Sequence, residues 1–242
     1  MIIWALFDSG NGCYKRVATK MDIEIYSIGI DRENKNDHFI NLDLADYSRM
    51  FGDNKLFNTL DQLPKPHLII ASPPCESWSV ASAMNGGNAC WKTDEIENLF
   101  GGMKGSTFTI RDYKDFENYQ FKPERQIMTR INGELCIFNT IEIIKRYKPQ
   151  YWVIENPAYG KIWEYVEKIL GFELPHKNLT YYSAYGFDVQ KPTRFSSNID
   201  LKLKTEKIKN KIPFNQICGY NLRSNIPDEL IEEIFTKLIK EE

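Results

Sequence analysis

Histidine and paired cysteines are scarce in this chain. Its 242 residues hold three histidines (His38, His67, His176) and five cysteines (Cys13, Cys75, Cys90, Cys136, Cys218), with no CxxC pair. Nothing falls at metal-ligand spacing, so the expectation is reduced thiols, no metal and a cytoplasmic compartment. Long apolar runs are missing too: none approaches the roughly 20 residues that cross a bilayer, which predicts a soluble protein. The opening stretch, Met1-Ile2-Ile3-Trp4-Ala5-Leu6-Phe7, is apolar, but no basic residues precede it and Asp8 ends it, so it reads as a first strand rather than a secretion signal. Excess charge is absent as well. A net charge of −2 excludes a generic polycation and confines any nucleic-acid contact to local patches. There is no internal repeat and no low-complexity tract.

What the chain does have is 42% hydrophobic residues, enough for one sizeable core, and the expectation is a single domain over residues 1–242 with an insertion. Short apolar runs at 2–7, 23–30, 67–71 and 151–154 read as buried strands closed by polar loops. Helical patterns lie between and after them: one begins at 14–19, one covers 135–147, and one covers 227–239. In the last, Leu230, Ile231, Ile234, Phe235, Leu238 and Ile239 form a single stripe. Such alternation predicts an α/β fold with a mostly parallel sheet and helices on both faces.

Residues 84–132 break the alternation. They contain Gly86-Gly87, Gly101-Gly102 and Gly105 and show no clean period. Trp91, Lys92, Lys104, Arg111, Tyr113, Lys114, Tyr119, Phe121, Lys122, Arg125 and Arg130 interleave basic with aromatic side chains, a composition that suits a nucleic-acid backbone and stacked bases. A solvated lid is the alternative, because Asp94, Glu95, Glu97, Asp112, Asp115 and Glu117 lie in the same stretch. A second basic run, Lys202, Lys204, Lys207, Lys209 and Lys211, reads first as a solvated face and second as a phosphate contact.

Chemistry concentrates where strands end. Ser72-Pro73-Pro74-Cys75-Glu76-Ser77-Trp78-Ser79 follows the strand Leu68-Ile69-Ile70-Ala71, and the two prolines force a rigid loop. Cys75 is thus a candidate nucleophile at a strand's carboxyl end, where open α/β sheets bind ligands; a buried structural thiol is the other reading. Asp8-Ser9-Gly10-Asn11-Gly12 joins the first strand to the first helix, and its glycines permit close approach of a cofactor. Asp31 ends the second strand, placed to accept the hydroxyls of a ribose, with a turn or capping role as the alternative. Asn41-Leu42-Asp43 adds a polar point suited to an adenine amino group. Glu155-Asn156-Pro157 closes another strand, and its acid could protonate a heterocycle nitrogen if burial raised its pKa. Gln190-Lys191-Pro192-Thr193-Arg194 is a third cluster, suited to a base carbonyl or a phosphate.

In order and along the whole length, these motifs resemble the S-adenosylmethionine-dependent DNA cytosine-5 methyltransferases, in particular the short forms met in phages and mobile elements. The resemblance implies a class I, Rossmann-like methyltransferase fold with a mixed, mostly parallel seven-stranded sheet. It implies S-adenosylmethionine as cofactor, held by Phe7, Asp8, Ser9, Gly10, Asn11, Gly12, Asp31, Asp43, Pro74 and, through the Asn225-Ile226-Pro227 motif, Asn225. Cys75, Glu155 and Arg194 become the catalytic set. Ser79, Asn156, Gln190 and Lys191 become contacts to duplex DNA. Four departures accompany it: Asp8 begins the cofactor loop in the manner of methyltransferases at large, Pro157 replaces a valine, Pro192 stands where an arginine is usual, and only residues 195–223 remain of the usual recognition domain. Residues 84–132 are then the expected recognition insertion.

The mechanism implied is attack of the Cys75 thiolate on cytosine C6 of a flipped-out base, with Glu155 protonating N3, Arg194 holding the carbonyl, and Trp78 or an aromatic of the insertion filling the gap or bracing the loop. One rival is an amino methyltransferase acting on adenine N6 or cytosine N4, whose loop resembles Ser72-Pro73-Pro74 but needs an aromatic where Cys75 stands. A second is a DNA-binding or antirestriction protein on a decayed scaffold. RNA is an alternative substrate.

Overall fold

The computed structural model describes residues 1–8, 12–30, 37–96, 105–209, 212 and 224–240. Ser9, Gly10, Asn11, Asp31, Lys104, Lys211 and Cys218 lie outside the described residues, as do most of 210–223 and residues 97–103.

The main sheet has seven strands: β1 (Ile2–Leu6), β2 (Glu24–Gly29), β3 (Phe39–Asn41), β4 (Leu68–Ala71), β9 (Tyr151–Pro157), β10 (Leu179–Tyr181) and β11 (Pro192–Ser197). Their order is β10-β11-β9-β4-β1-β2-β3. The pairs among β9, β4, β1, β2 and β3 are parallel, and β11 alone runs against both its neighbours. The expected mostly parallel α/β sheet, compatible with a Rossmann-like fold, is therefore present.

Helices cover both faces: α1 (Cys13–Lys20), α2 (Lys55–Leu60), α3 (Pro123–Tyr147), α4 (Ile162–Lys168) and α5 (Asp228–Lys240). β1 shows why, because side chains alternate across a strand. Ile3 and Ala5 pack with Val17 of α1 and Ile231 and Phe235 of α5, while Trp4 and Leu6 pack with Leu60 of α2, Ile137 and Ile141 of α3 and Val166 of α4. Both faces are buried, which is why these strands read as continuous apolar runs. Among the described residues no helix is long and apolar enough to cross a membrane.

Three elements differ from the sequence reading. β9 does not stop at Ile154. Its parallel pairing with β4 ends at Ala71↔Ile154, but antiparallel β11 continues to pair with Glu155, Asn156 and Pro157. Helix α3 begins at Pro123, a residue suited to a first turn, instead of 135, and its first buried residue is Gly133. Its leading turns face solvent and carry no apolar stripe to read. Residues 84–132 thus hold those turns and most of a four-stranded antiparallel sheet: β5 (Ala83–Met84), β6 (Gly87–Asn88), β7 (Trp91–Ile96) and β8 (Gly105–Ile110).

Candidate functional site

The strand order reverses between β1 and β4, so the crevice at their carboxyl ends is the topological switch point where such sheets take ligands. Asp8 leaves β1 there and is buried. Its carboxylate accepts from the backbone N–H of Tyr14 at 3.2 Å and of Lys15 at 3.0 Å, in the first turn of α1, and from the Ser27 hydroxyl at 2.8 Å. Burial still wins over these bonds and pushes Asp8 up to about 6. Gly12 precedes α1 at φ 55, a left-handed conformation that glycine adopts without a Cβ penalty.

This arrangement selects among ligands. A dinucleotide's pyrophosphate sits on free N–H groups at a helix N-terminus, but here two of those groups already hold an acid.

The other expected cofactor contacts surround it. Phe7 is half-buried at φ 66, its N–H bonded to the Ile28 carbonyl at 2.7 Å. Asp43 is exposed beyond β3 and accepts from the Ala45 N–H at 2.8 Å. Asn225 ties down the segment before α5, its Oδ1 lying 3.0 Å from Cys13 Sγ. Ile30, 69% exposed at the end of β2, offers an apolar face beside this edge. Pro74 is half-buried in the loop that faces β1 across the switch point.

That loop is tethered on every side. Asn156 Nδ2 donates to the Pro73 carbonyl at 2.8 Å. Asn88 Nδ2 donates to the carbonyls of Ser77 and Ser79 at 3.1 and 3.3 Å, and the Lys161 N–H to that of Trp78 at 2.9 Å. The Cys75 carbonyl accepts from the N–H groups of Trp78 and Ser79. Trp78 is fully buried, stacked on Trp91 with ring centroids 5.2 Å apart, and Trp91 stacks in turn on Phe108 of β8. Of its two expected roles, Trp78 therefore takes bracing: a fully buried ring in a stack is not free to fill a gap in a duplex. Ser79 Oγ caps the following 3-10 turn by accepting from the Ala81 N–H.

Glu155 stands one residue past the end of the β4–β9 pairing, so it and Cys75 come from adjacent strands. Glu155 is buried, and burial raises its pKa against the lowering influence of Lys191, Ser72 and Tyr182. Tyr182 Oη donates to it at 3.3 Å. The Ser72 hydroxyl bonds Glu155 and lies 2.6 Å from the Tyr14 hydroxyl. Cys75 is half-buried; burial, then the charges of Glu76 and Glu155, push its thiol up to about 12, and Lys191 acts in the opposite direction. Burial thus raises the pKa of both the acid and the thiol, and each carboxyl group near Cys75 opposes its ionisation.

The third cluster divides. Lys191 is half-buried, its Nζ 4.5 Å from the centre of the Tyr182 ring, and it acts electrostatically on both Glu155 and Cys75. Gln190 beside it is half-buried as well. Arg194 goes elsewhere. Register places it opposite Asn156, on the sheet face away from Glu155, where it lies 4.3 Å from the Trp163 ring centre and donates to Ser196 Oγ at 2.8 Å. Its Nη2 and the Oδ1 of Asn156 are buried without a hydrogen-bond partner among the described residues. Burial lowers the pKa of Arg194. Among the expected catalytic residues, the structure brings Cys75 and Glu155 together with Lys191 rather than with Arg194.

Several of the basic and aromatic residues of 84–132 are used internally. Trp91 is buried, Arg111 donates to the carbonyls of Asn85 and Asn88, Lys92 pairs with Asp115 at 3.1 Å, and Arg130 pairs with Glu134 at 2.8 Å. Tyr113, Lys114, Tyr119, Lys122 and Arg125 are exposed. In the second basic run, Lys204 and Lys207 lie over the rings of Tyr185 and Tyr181.

Sequence reasoning missed Tyr14, Tyr182 and Asn88 as parts of the site, and named Ser72 in its loop motif without a role. Tyr14 looks like any apolar-face residue of a helix, and Tyr182 belongs to an aromatic run; neither carries a motif. No protein-family model matches the chain, and no curated protein matches it in sequence.

Proposed function

We propose that the protein transfers a methyl group from S-adenosylmethionine to C5 of cytosine in duplex DNA. The observation that carries this reading is the meeting of Cys75 and Glu155 at the carboxyl ends of adjacent strands, the acid held toward its protonated form and the thiol's loop locked by Asn156. Further support comes from the seven-stranded sheet with its single reversed strand, the mixed arrangement that a class I methyltransferase fold implies.

The cofactor crevice suits the proposed ligand. Asp8 occupies two N–H groups at the start of α1 and adds negative character there, which favours a cationic sulfonium over a phosphate. Residues at the ends of β1, β2 and β3 would hold the nucleoside, with Asp43 toward the adenine. When bound, S-adenosylmethionine supplies an electrophilic methyl group on a sulfonium.

Cytosine C5 is not nucleophilic until C6 carries a substituent. The Cys75 thiolate forms that bond to C6 while Glu155 gives its proton to N3, and the ring's electron pair moves to C5, which accepts the methyl. Loss of the C5 proton to solvent base then restores the C5–C6 double bond, breaks the S–C6 bond and frees the thiolate, and the N3 proton returns to Glu155. Tyr182 and Ser72 hold the carboxyl in place for both transfers. A base stacked in a duplex hides C6, so the nucleotide must leave the helix.

The test is incubation with methyl-labelled S-adenosylmethionine and DNA of mixed sequence, followed by mass analysis of the nucleosides. The reading predicts 5-methylcytosine from the wild type and none from Cys75→Ser. N4-methylcytosine or N6-methyladenine would replace it with the amino methyltransferase, and competition by RNA would move the substrate.

A further inference from the structure

The second basic run, of which Lys202, Lys204, Lys207 and Lys209 are described, has a definite place in the fold. β10 runs antiparallel to β11, and β11 antiparallel to β9, so β10 is parallel to β9 and its last residue, Tyr181, stands at the same carboxyl edge as Glu155. The next residue, Tyr182, donates to Glu155 at 3.3 Å. Residues 201–209 pass beside this end of β10. Leu201 and Leu203 are buried while Lys202 and Lys204 are exposed, an alternation that pins one side of the segment and turns the other to solvent. Its backbone is tied down as well: Thr180 Oγ1 donates to the Lys204 carbonyl at 2.6 Å, the Lys204 N–H to the Tyr185 hydroxyl at 3.0 Å, and Lys237 Nζ of α5 to the Lys202 carbonyl at 2.8 Å.

The lysines of this segment are held without being neutralised. Lys204 Nζ lies 4.8 Å from the centre of the Tyr185 ring and Lys207 Nζ 5.1 Å from that of Tyr181, contacts that orient a cation and leave its charge in place. Glu206 is the one acid among residues 201–209, and among the described residues no salt bridge involves Lys202, Lys204, Lys207 or Lys209. Tyr159, two residues past the end of β9, adds a 59% exposed phenol at the same edge. A solvated face needs neither rings under its ammoniums nor a position beside the crevice. A row of uncompensated cations there suits a polyanion whose charge repeats along its length, as phosphates do along a nucleic-acid strand.

We propose that Lys204, Lys207 and Lys209 form a phosphate-binding strip that holds the backbone of duplex DNA against the carboxyl edge of the sheet, beside the crevice of Cys75 and Glu155. The choice of duplex DNA as the polyanion rests on the methyltransferase reading; the strip rests on its own placement. Contacts to phosphate fix register and orientation and carry no sequence information, so the strip supplies affinity and leaves the choice of base to other residues.

The experiment is a fluorescence-anisotropy titration of a short labelled duplex of mixed sequence with the full chain, without cofactor, at several salt concentrations. The strip variant Lys204→Gln/Lys207→Gln/Lys209→Gln is compared with the wild type and with Lys65→Gln/Lys145→Gln/Lys148→Gln, which removes the same charge from the segments leading into β4 and β9 at the opposite edge. Thermal melting is recorded in parallel, and if the triple strip variant melts low, Lys207→Gln/Lys209→Gln is read in its place. Each phosphate contact adds about 0.9 to the slope of log K against log salt, so the strip variant should lower that slope by about 2–3 and weaken binding at least about tenfold, while the opposite-edge variant changes neither. A folded strip variant that keeps the wild-type slope overturns the proposal, as does an equal loss in the opposite-edge variant. Tighter binding of single-stranded RNA of the same length overturns duplex DNA as the partner. Strip-dependent DNA binding by a wild type that forms no 5-methylcytosine upholds the surface and overturns only the reaction, whereas 5-methylcytosine formed by a strip variant with unchanged binding overturns only the strip.

Discussion

Asp8 and Glu155 are both carboxyl groups at strand ends, yet burial gives them different tasks. Asp8 spends its oxygens on the first turn of α1 and on Ser27; Glu155 accepts from the Tyr182 hydroxyl. Asp8 also makes a prediction about stability. Its folded pKa of about 6 lies above the ordinary 3.8, so between those values the folded state keeps a proton that the unfolded chain has released. Stability from this group is present below pH 4 and is lost as pH rises through 6, on the order of 3 kcal/mol in all. Glu155 is shifted in the same direction. Urea unfolding at pH 5 and pH 7.5 should therefore show lower stability at the higher pH, and Asp8→Asn should shrink the difference; an unchanged difference contradicts the assignment. A second residue, Asn156, predicts a separation of effects. Asn156→Ala frees the Pro73 carbonyl and should cost about 1–3 kcal/mol in the same unfolding assay, while reducing methyl transfer far more than cofactor binding by calorimetry.

At the scale of elements, the loop over residues 72–79 is held between the main sheet, through Asn156, and the small one, through Asn88 and Trp91. Helix α3 approaches so closely that a Cβ on Gly133 would lie 2.0 Å from Ser77 Oγ, 3.0 Å from Ser77 Cβ and 3.1 Å from Trp78 Nε1. Rotation of Ser77 relieves the first contact but not the other two. Gly133→Ala should consequently displace the loop, lower stability by about 1–3 kcal/mol and reduce methyl transfer, measured by melting and by label incorporation. Trp91→Ala tests the opposite side of the loop: loss of the buried stack should cost about 3–5 kcal/mol. The buried strands and α5 were legible because their periods are simple. β9 beyond Ile154, the early turns of α3 and strands β5 and β6 were not, since pairing with a distant β11, solvent exposure and a length of two residues leave no period to read. The motif residues Cys75 and Glu155 could be read as chemistry at strand ends. Arg194 could not be placed, because which face of β11 it occupies depends on the register with β9.

The whole molecule carries almost no net charge, so the proposed DNA binding would have to draw on local exposed basic groups. Lys114, Lys122 and Arg125 are exposed, and binding through them should weaken steeply with salt. Their joint replacement by glutamine is expected to flatten that salt dependence in a fluorescence titration with duplex DNA; unchanged binding would place recognition elsewhere. The pairing of Cys75 with Glu155 is central to the proposed reaction. The most direct measurement is mass analysis of nucleosides from DNA incubated with methyl-labelled S-adenosylmethionine and the wild type, Cys75→Ser or Glu155→Gln protein. Labelled 5-methylcytosine from the wild type, none from Cys75→Ser and a severe loss with Glu155→Gln is the predicted result; 5-methylcytosine formed by Cys75→Ser would contradict it.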